Sequence, residues 1–218
     1  YPQPVVDSVT DQGICHGTAA GAIGFTGNAG VTGFTWTNNQ PSIGLAASGT
    51  GDIPSFTAIN QGQTDLVVQI MVTASNPGCA GSPIPFSITV HPLPALHATA
   101  DTRLCRGQSV QLSASNAAAY SWSPSQYLSC SDCANPLATP TGNISYIVEG
   151  TTAYGCRAKD TVSLNVIQRF NMQVSGPDTI CVGGYAQLLA SGAASYQWTP
   201  ASSQNQADIA NPVATPTA

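Results

Sequence analysis

Charge is what this chain has least of. Only 7% of its 218 residues are Asp, Glu, Lys or Arg, against roughly 25% in an average soluble protein. Five basic residues and a net charge of -5 cannot neutralise a phosphate track, which excludes a nucleic-acid partner. Glu149 is the only glutamate, and the nine aspartates are dispersed with no DxD pair. Neither a calcium site nor a working pair of carboxylates is therefore expected. His16, His91 and His97 are too scattered for a metal set. GxSxG, HExxH, a glycine-rich phosphate loop and an EF-hand are all missing. No catalytic residue, cofactor or metal is assigned. Long apolar runs are lacking too: none approaches the roughly 18 residues of a membrane span, so no membrane insertion is expected. Tyr1-Pro2-Gln3-Pro4 does not look like a signal peptide, which suggests a mature or excised segment.

Neutral polar and small residues fill the space that charge leaves. Disorder would suit so polar a chain, but a hydrophobic content of 42% with regular alternation argues for folded β-structure. Runs bounded by Gly, Pro and Asn predict strands at Ala22–Phe25, Gly33–Thr37, Leu66–Thr73, Pro85–Val90, Val110–Ala114, Tyr120–Trp122, Ser145–Val148 and Thr161–Ile167. No helical period competes with them. Short strands separated by frequent turn signals predict an all-β chain of sandwiches.

A tandem repeat organises the rest. Between Cys105 and Thr141, 19 of 37 positions are identical to the residue 76 further on. Cys105, Gly107, Gln111-Leu112, Tyr120, Trp122, Pro124 and Asn135-Pro136 recur as Cys181, Gly183, Gln187-Leu188, Tyr196, Trp198, Pro200 and Asn211-Pro212. A module copied whole builds length, stiffness or multivalency without new chemistry. Each unit carries one tryptophan, Trp36, Trp122 or Trp198, 17 to 21 residues after its first cysteine. A large ring at a fixed offset reads as core on a central strand, with sugar stacking as the functional alternative.

Proline-containing joints at His91-Pro92-Leu93-Pro94 and near Ser175-Gly176-Pro177 divide the chain into residues 1–93, 94–170 and 171–218. Short joints of this kind restrict bending, so the units are expected end to end as a semi-rigid rod. Ala218 corresponds to Gly142, so the counterparts of Ser145–Ile167 are expected either from continuing chain or from a strand donated by a neighbour.

Seven cysteines at matching points point to disulfides and an oxidising, extracytoplasmic setting. The simplest pairing is within each unit, Cys15 with Cys79 and Cys105 with Cys156. Closing those loops would restrict the unfolded chain by about 4 kcal/mol each in the chain-entropy model. An objection accompanies it: the turns concerned lie at opposite ends of an ordinary sandwich, and Cα atoms more than about 7 Å apart cannot be bridged. Cys15 bonded to Cys156 across two units, or Cys105 bonded to Cys130 or Cys133, are the alternatives. Cys130-Ser131-Asp132-Cys133 is a CxxC on a loop, without the helix start of a redox motif or the extra ligands of a zinc site, and reads as a local loop-closing disulfide.

The phrases Ser42-Ile43-Gly44-Leu45-Ala46-Ala47-Ser48-Gly49-Thr50-Gly51 and Ile53-Pro54-Ser55-Phe56-Thr57-Ala58, with the Gly78-Cys79 turn and Ser87-Ile88-Thr89-Val90, resemble the PKD-like domain of large secreted adhesins in gliding bacteria. Cys105-Arg106-Gly107, Tyr120-Ser121-Trp122-Ser123-Pro124, Leu128-Ser129-Cys130, Asn135-Pro136-Leu137-Ala138-Thr139-Pro140 and Gly155-Cys156 look like the immunoglobulin-like repeat of the same proteins. The resemblance covers nearly the whole chain. It implies tandem immunoglobulin-like and PKD-like β-sandwiches arranged end to end, type IX secretion, and display at the bacterial cell surface. It also implies adhesion or gliding motility, with neighbouring domains of the same chain, surface glycans or another cell-surface protein as partners. Bacteria of this kind are expected to attach O-glycans at Asp-Ser/Thr before an aliphatic residue, a pattern that Asp7-Ser8-Val9, Asp160-Thr161-Val162 and Asp178-Thr179-Ile180 fit. Two other readings stand beside the adhesin: a filament subunit completed by strand donation, and an accessory spacer of a secreted polysaccharide-degrading enzyme.

Overall fold

The computed structural model describes residues 2–168, 171–175, 179–181 and 183–216. Two compact units divide the chain, Tyr1–Asn165 and Val166–Ala218. The expected boundary residues Gly176 and Pro177 lie outside the described residues.

The first unit contains two separate sheet systems. In the first, the strand Leu66–Asn76 buries every second residue. Val68, Ile70, Val72 and Ala74 are fully buried, because side chains alternate across a strand and one face must meet the core. Ile84–His91 repeats the pattern with Phe86, Ile88 and Val90. The sheet runs in the order Gln12–Cys15, Ile84–His91, Leu66–Asn76, Gly33–Asn38 and Ser48–Thr50. Gln12–Cys15 lies parallel to its neighbour, and the other pairs are antiparallel. A small sheet of Ala19–Ala20 with Phe56–Thr57, prolonged by a bridge between Ile23 and Ile53, covers the opposite face. Trp36, Ile43 and Ile53 fill the space between. Each such side chain withdrawn from water contributes roughly 1.5–3 kcal/mol.

The second system pairs Thr102–Cys105, Arg157–Ile167, Ile144–Thr151 and Ala119–Ser123 in that order. Val110–Gln111 with Leu137–Ala138, and Ala114–Ser115 with His97–Ala98, complete the sandwich. Tyr146, Val148, Val162, Leu164 and Trp122 form its core. Trp36 and Trp122 thus occupy the interior of their sandwiches, as their fixed offset implied.

Two expected strands come out differently. Ala22–Phe25 contributes only the single bridge at Ile23. The run Val110–Ala114 is broken into two short strands, and Pro136 supplies the reason. Leu112 donates its N–H to Pro136 O at 2.9 Å, but proline has no N–H to return. The Gln111 side chain stands in for it: Nε2 donates to Leu112 O at 3.3 Å and to Asn135 O at 2.7 Å.

The second unit repeats this arrangement by itself. Ala186–Gln187 pairs with Val213–Ala214, and Gln173–Val174 with Ala190–Ser191. Gln187 Nε2 donates to Asn211 O, Pro212 O and Leu188 O. Tyr120 Oη accepts from Ala117 N–H, and Tyr196 Oη accepts from Ala193 N–H, both at 3.2 Å. Trp122 Nε1 donates to Cys133 O, and Trp198 Nε1 to Ile209 O, both at 2.9 Å. Three of the residues that recur at 76 positions, the Gln, the Tyr and the Trp, thus bond backbone groups in both copies.

Candidate functional site: a cross-linked joint

Where the first sheet ends and the second begins, five side chains meet. Cys15 is the last residue of its strand and pairs with His91, the last of its own. His16 N–H donates to His91 O at 2.9 Å, closing the sheet at that edge. On the other side, the strands Ile144–Thr151 and Arg157–Ile167 are joined by a tight turn. In it Gly155 N–H donates to Thr152 O, and Thr152 N–H to Cys156 O. Gly155 sits at φ 83°, a conformation that costs glycine nothing. The turn presents Cys156, almost fully buried, to Cys15. The two are bonded with Cα atoms 5.5 Å apart, across 141 residues of sequence.

A ring contact lies beside the bond. His91 stacks on Tyr154, with centroids 3.8 Å apart and planes 9° from parallel. His91 Nδ1 lies 2.8 Å from Asp65 Oδ1. A carboxylate only accepts, so Nδ1 carries the hydrogen. Asn60 holds the loop that delivers Asp65: its Nδ2 donates to Thr64 O and Val90 O, and its Oδ1 accepts from Gly62 N–H. Its own N–H donates to His16 Nδ1 at 3.0 Å. In the second sandwich, Asn116 Nδ2 donates to Ala95 O at 3.0 Å, just after the linker. The two sandwiches are thus joined by a covalent bond and a ring stack, while hydrogen bonds inside each hold the groups that meet.

This corrects the pairing within units. Cys79 and Cys105 are free, exposed thiols, as is Cys181. Cys15 sits at the Leu66 end of the first sheet, since Leu66 pairs with Val90, whereas Cys79 pairs with Asn76. Ten residues of strand, about 33 Å, separate the two ends. Cys105 fails Cys156 for a similar reason. Asp101, the residue just before its strand, accepts from Ser163 N–H at 2.7 Å, seven residues or about 23 Å along the strand from Cys156. Cys105 does not bond Cys130 or Cys133 either; those two are bonded to each other. Their loop lies over Trp122, with Ser131 O accepting Trp122 N–H at 2.7 Å. In the second unit Ala207 O accepts Trp198 N–H at the same distance, although Gln206 and Ile209 replace the cysteines.

Ser8 and Thr161 are exposed, Thr161 on the outer face of a central strand. Thr179 is exposed as well, while Asp178 lies outside the described residues. Asp160 uses both carboxylate oxygens, accepting from Ala98 N–H and Thr161 N–H. Among the described residues no group of three or more His, Cys, Asp or Glu is placed to hold a metal ion. No helix among them is long and apolar enough to cross a membrane. His91, Tyr154 and Asp65 were not singled out as site residues from the sequence; their one signal is that His91 opens the proline-containing joint and Tyr154 sits two residues before Cys156.

The chain matches no protein-family model and no curated protein sequence. Solved structures similar to it are distant. DIP-gamma IG1+IG2 aligns at 10% identity and TM-score 0.41, covering 76% of this chain and 98% of that one. The tandem Ig repeats of Dlar align at 14% identity and TM-score 0.28, covering 77% and 99%. The human Desmocollin-1 ectodomain aligns at 10% identity and TM-score 0.30; the alignment covers 97% of this chain and 52% of that one. Likenesses this distant carry no argument about activity or partners, and the sandwich architecture rests on the strand pairing itself.

Proposed function

We propose that the chain is a non-catalytic segment of a secreted cell-surface repeat adhesin, acting as a disulfide-stapled stalk and contact surface in bacterial adhesion or gliding motility. One observation carries the reading. The duplicated residues Gln111, Tyr120 and Trp122, with Gln187, Tyr196 and Trp198, are all spent on bracing backbone. A repeat whose shared residues maintain shape serves reach and presentation. The cross-link at Cys15 and Cys156 supports the same reading, because it needs an oxidising compartment such as the cell exterior. Neighbouring modules of the same chain are the first partners, and surface glycans or another cell-surface protein the second. Ser8, Thr161 and Thr179 are the proposed O-glycan sites, where sugars would cover exposed surface that carries little charge.

The test is surface labelling. An antibody against this chain is expected to stain intact source cells in a protease-sensitive way and to reduce their attachment to glass. Antigen confined to the cell interior would contradict the proposal.

Strand donation remains a second reading because of one feature of the second unit. Met172, Val174, Ala190, Tyr196 and Trp198 line an open depression there, and Ser195–Thr199 corresponds to Ala119–Ser123, which pairs with Ile144–Thr151. Saturable binding of a peptide with the sequence of residues 143–151 would favour this reading, and lack of binding would remove it.

A further inference from the structure

The five cysteines outside the CxxC loop fall into two structural classes, and the existing cross-link joins one member of each. Cys15, Cys105 and Cys181 open the same turn. Their carbonyls accept from the N–H three residues on, of Thr18, Gln108 and Gly184, and a left-handed glycine follows two residues later, Gly17, Gly107 or Gly183. Ahead of the first two, an aspartate caps the neighbouring strand: Asp11 accepts from Ser87 N–H and Asp101 from Ser163 N–H, both at 2.7 Å. Cys79 and Cys156 form the other class. Each directly follows a left-handed glycine, Gly78 or Gly155, in the connection between the two longest strands of its sandwich.

From this we infer that Cys79 and Cys105 are halves of the same inter-sandwich bond that Cys15 and Cys156 form. Cys105 takes the Gly-Cys turn of a sandwich docked at its end, and Cys79 takes the Cys-x-Gly turn of a sandwich docked at the opposite end. The partner in each case is a further module of this same type. Pairing within a sandwich is ruled out by the strand lengths, about 33 Å in the first sandwich and about 23 Å in the second, that keep Cys15 from Cys79 and Cys105 from Cys156. Docking brings the two turns together. In the joint that exists, the Cα atoms stand 5.5 Å apart, within the span a disulfide accepts. Each new bond joins two thiols. Two protons and two electrons pass to a disulfide oxidant such as oxidised glutathione, which leaves as two thiols after a mixed-disulfide step. The result is one covalent bond per joint in a constant register, a rule that holds whatever the array does at a surface.

The 76-residue register makes this testable. Residue 143 would follow Ala218 in phase, so the full chain is extended by a second copy of residues 143–168, which carries a cysteine in its Gly-Cys turn. After oxidation in a glutathione buffer, non-reduced peptide mapping is expected to show the added cysteine bonded to Cys105, with Cys79 and Cys181 alkylated. In a C105S background the added cysteine becomes alkylatable, and in a C181S background it stays bonded. A bond from the added cysteine to Cys181, or an added cysteine that stays free while Cys105 is free, overturns the inference. The unextended chain gives an independent reading. In C15S, Cys156 is expected to become fully alkylatable, whereas its transfer to Cys105 would show that docking does not set the pairing.

Discussion

Gln111 and Gln187 do a job that no pattern of hydrophobicity reveals. Each sits beside a strand partner containing Asn-Pro, where the missing proline N–H would leave Leu112 O or Leu188 O short of a donor. A hydrogen bond of this kind is worth about 0.5–1.5 kcal/mol. Gln111→Ala is therefore expected to lower the urea midpoint of the first unit by an amount equal to about 1 kcal/mol, with the slope unchanged. Gln111→Glu, which fills the same space but cannot donate, is expected to recover none of it. Full recovery by glutamate would show that volume, not donation, is what counts. Trp122 adds a second such contact, Nε1–H to Cys133 O. Among the described residues the buried Nε1 of Trp36 has no protein acceptor. Trp122→Phe is accordingly expected to cost more than Trp36→Phe, by roughly 1 kcal/mol; equal losses in thermal unfolding would contradict that. The identity of these residues was legible from the repeat, but their role was not, since it depends on which carbonyls the folded strands leave open.

At the level of elements, strands with strict alternation were the most legible. Leu66–Asn76 and Ile84–His91 follow from period-two burial alone. Val110–Ala114 reads as one strand because its residues favour extension, and is broken by a proline 24 residues away that the local pattern does not contain. The Asp caps were likewise hidden, because they bridge 76 and 62 residues of sequence. Accepting the Ser87 backbone and side-chain hydrogen bonds holds the Asp11 carboxyl below its usual 3.8, against a smaller opposing push from burial. A depressed folded-state value adds stability that is present above the unfolded value and is lost as pH falls through the folded one. Stability should thus fall on acidification below about pH 4 partly through Asp11. The Asp11→Asn chain is expected to show a shallower loss over that window in chemical melts. Superimposable acid profiles would remove Asp11 from the account.

At the level of the whole molecule, the joint decides what the sandwiches can do together. Cys15, Cys156 and Tyr154 meet His91 only when two sandwiches dock, so the sequence marked the cysteines and held this bond only as an alternative to pairing within units. Closing a 141-residue loop is worth up to about 5 kcal/mol in the chain-entropy model if both sandwiches unfold as one. If they unfold separately, the bond acts instead by holding them at high effective concentration, so the ring stack between His91 and Tyr154 persists. Either way the bond adds a covalent constraint to the proline-containing joint between the two sandwiches. On the proposed function the chain is an array that sets reach and orientation, with the residues its repeat shares, Gln111, Tyr120 and Trp122, spent on shape.

Peptide mapping of the non-reduced, alkylated chain tests that claim most directly. The account predicts one peptide pair joined through Cys15 and Cys156, a closed Cys130–Cys133 loop, and alkyl groups on Cys79, Cys105 and Cys181. Cys15 joined to Cys79 with Cys105 joined to Cys156, or seven alkylated thiols, would contradict it.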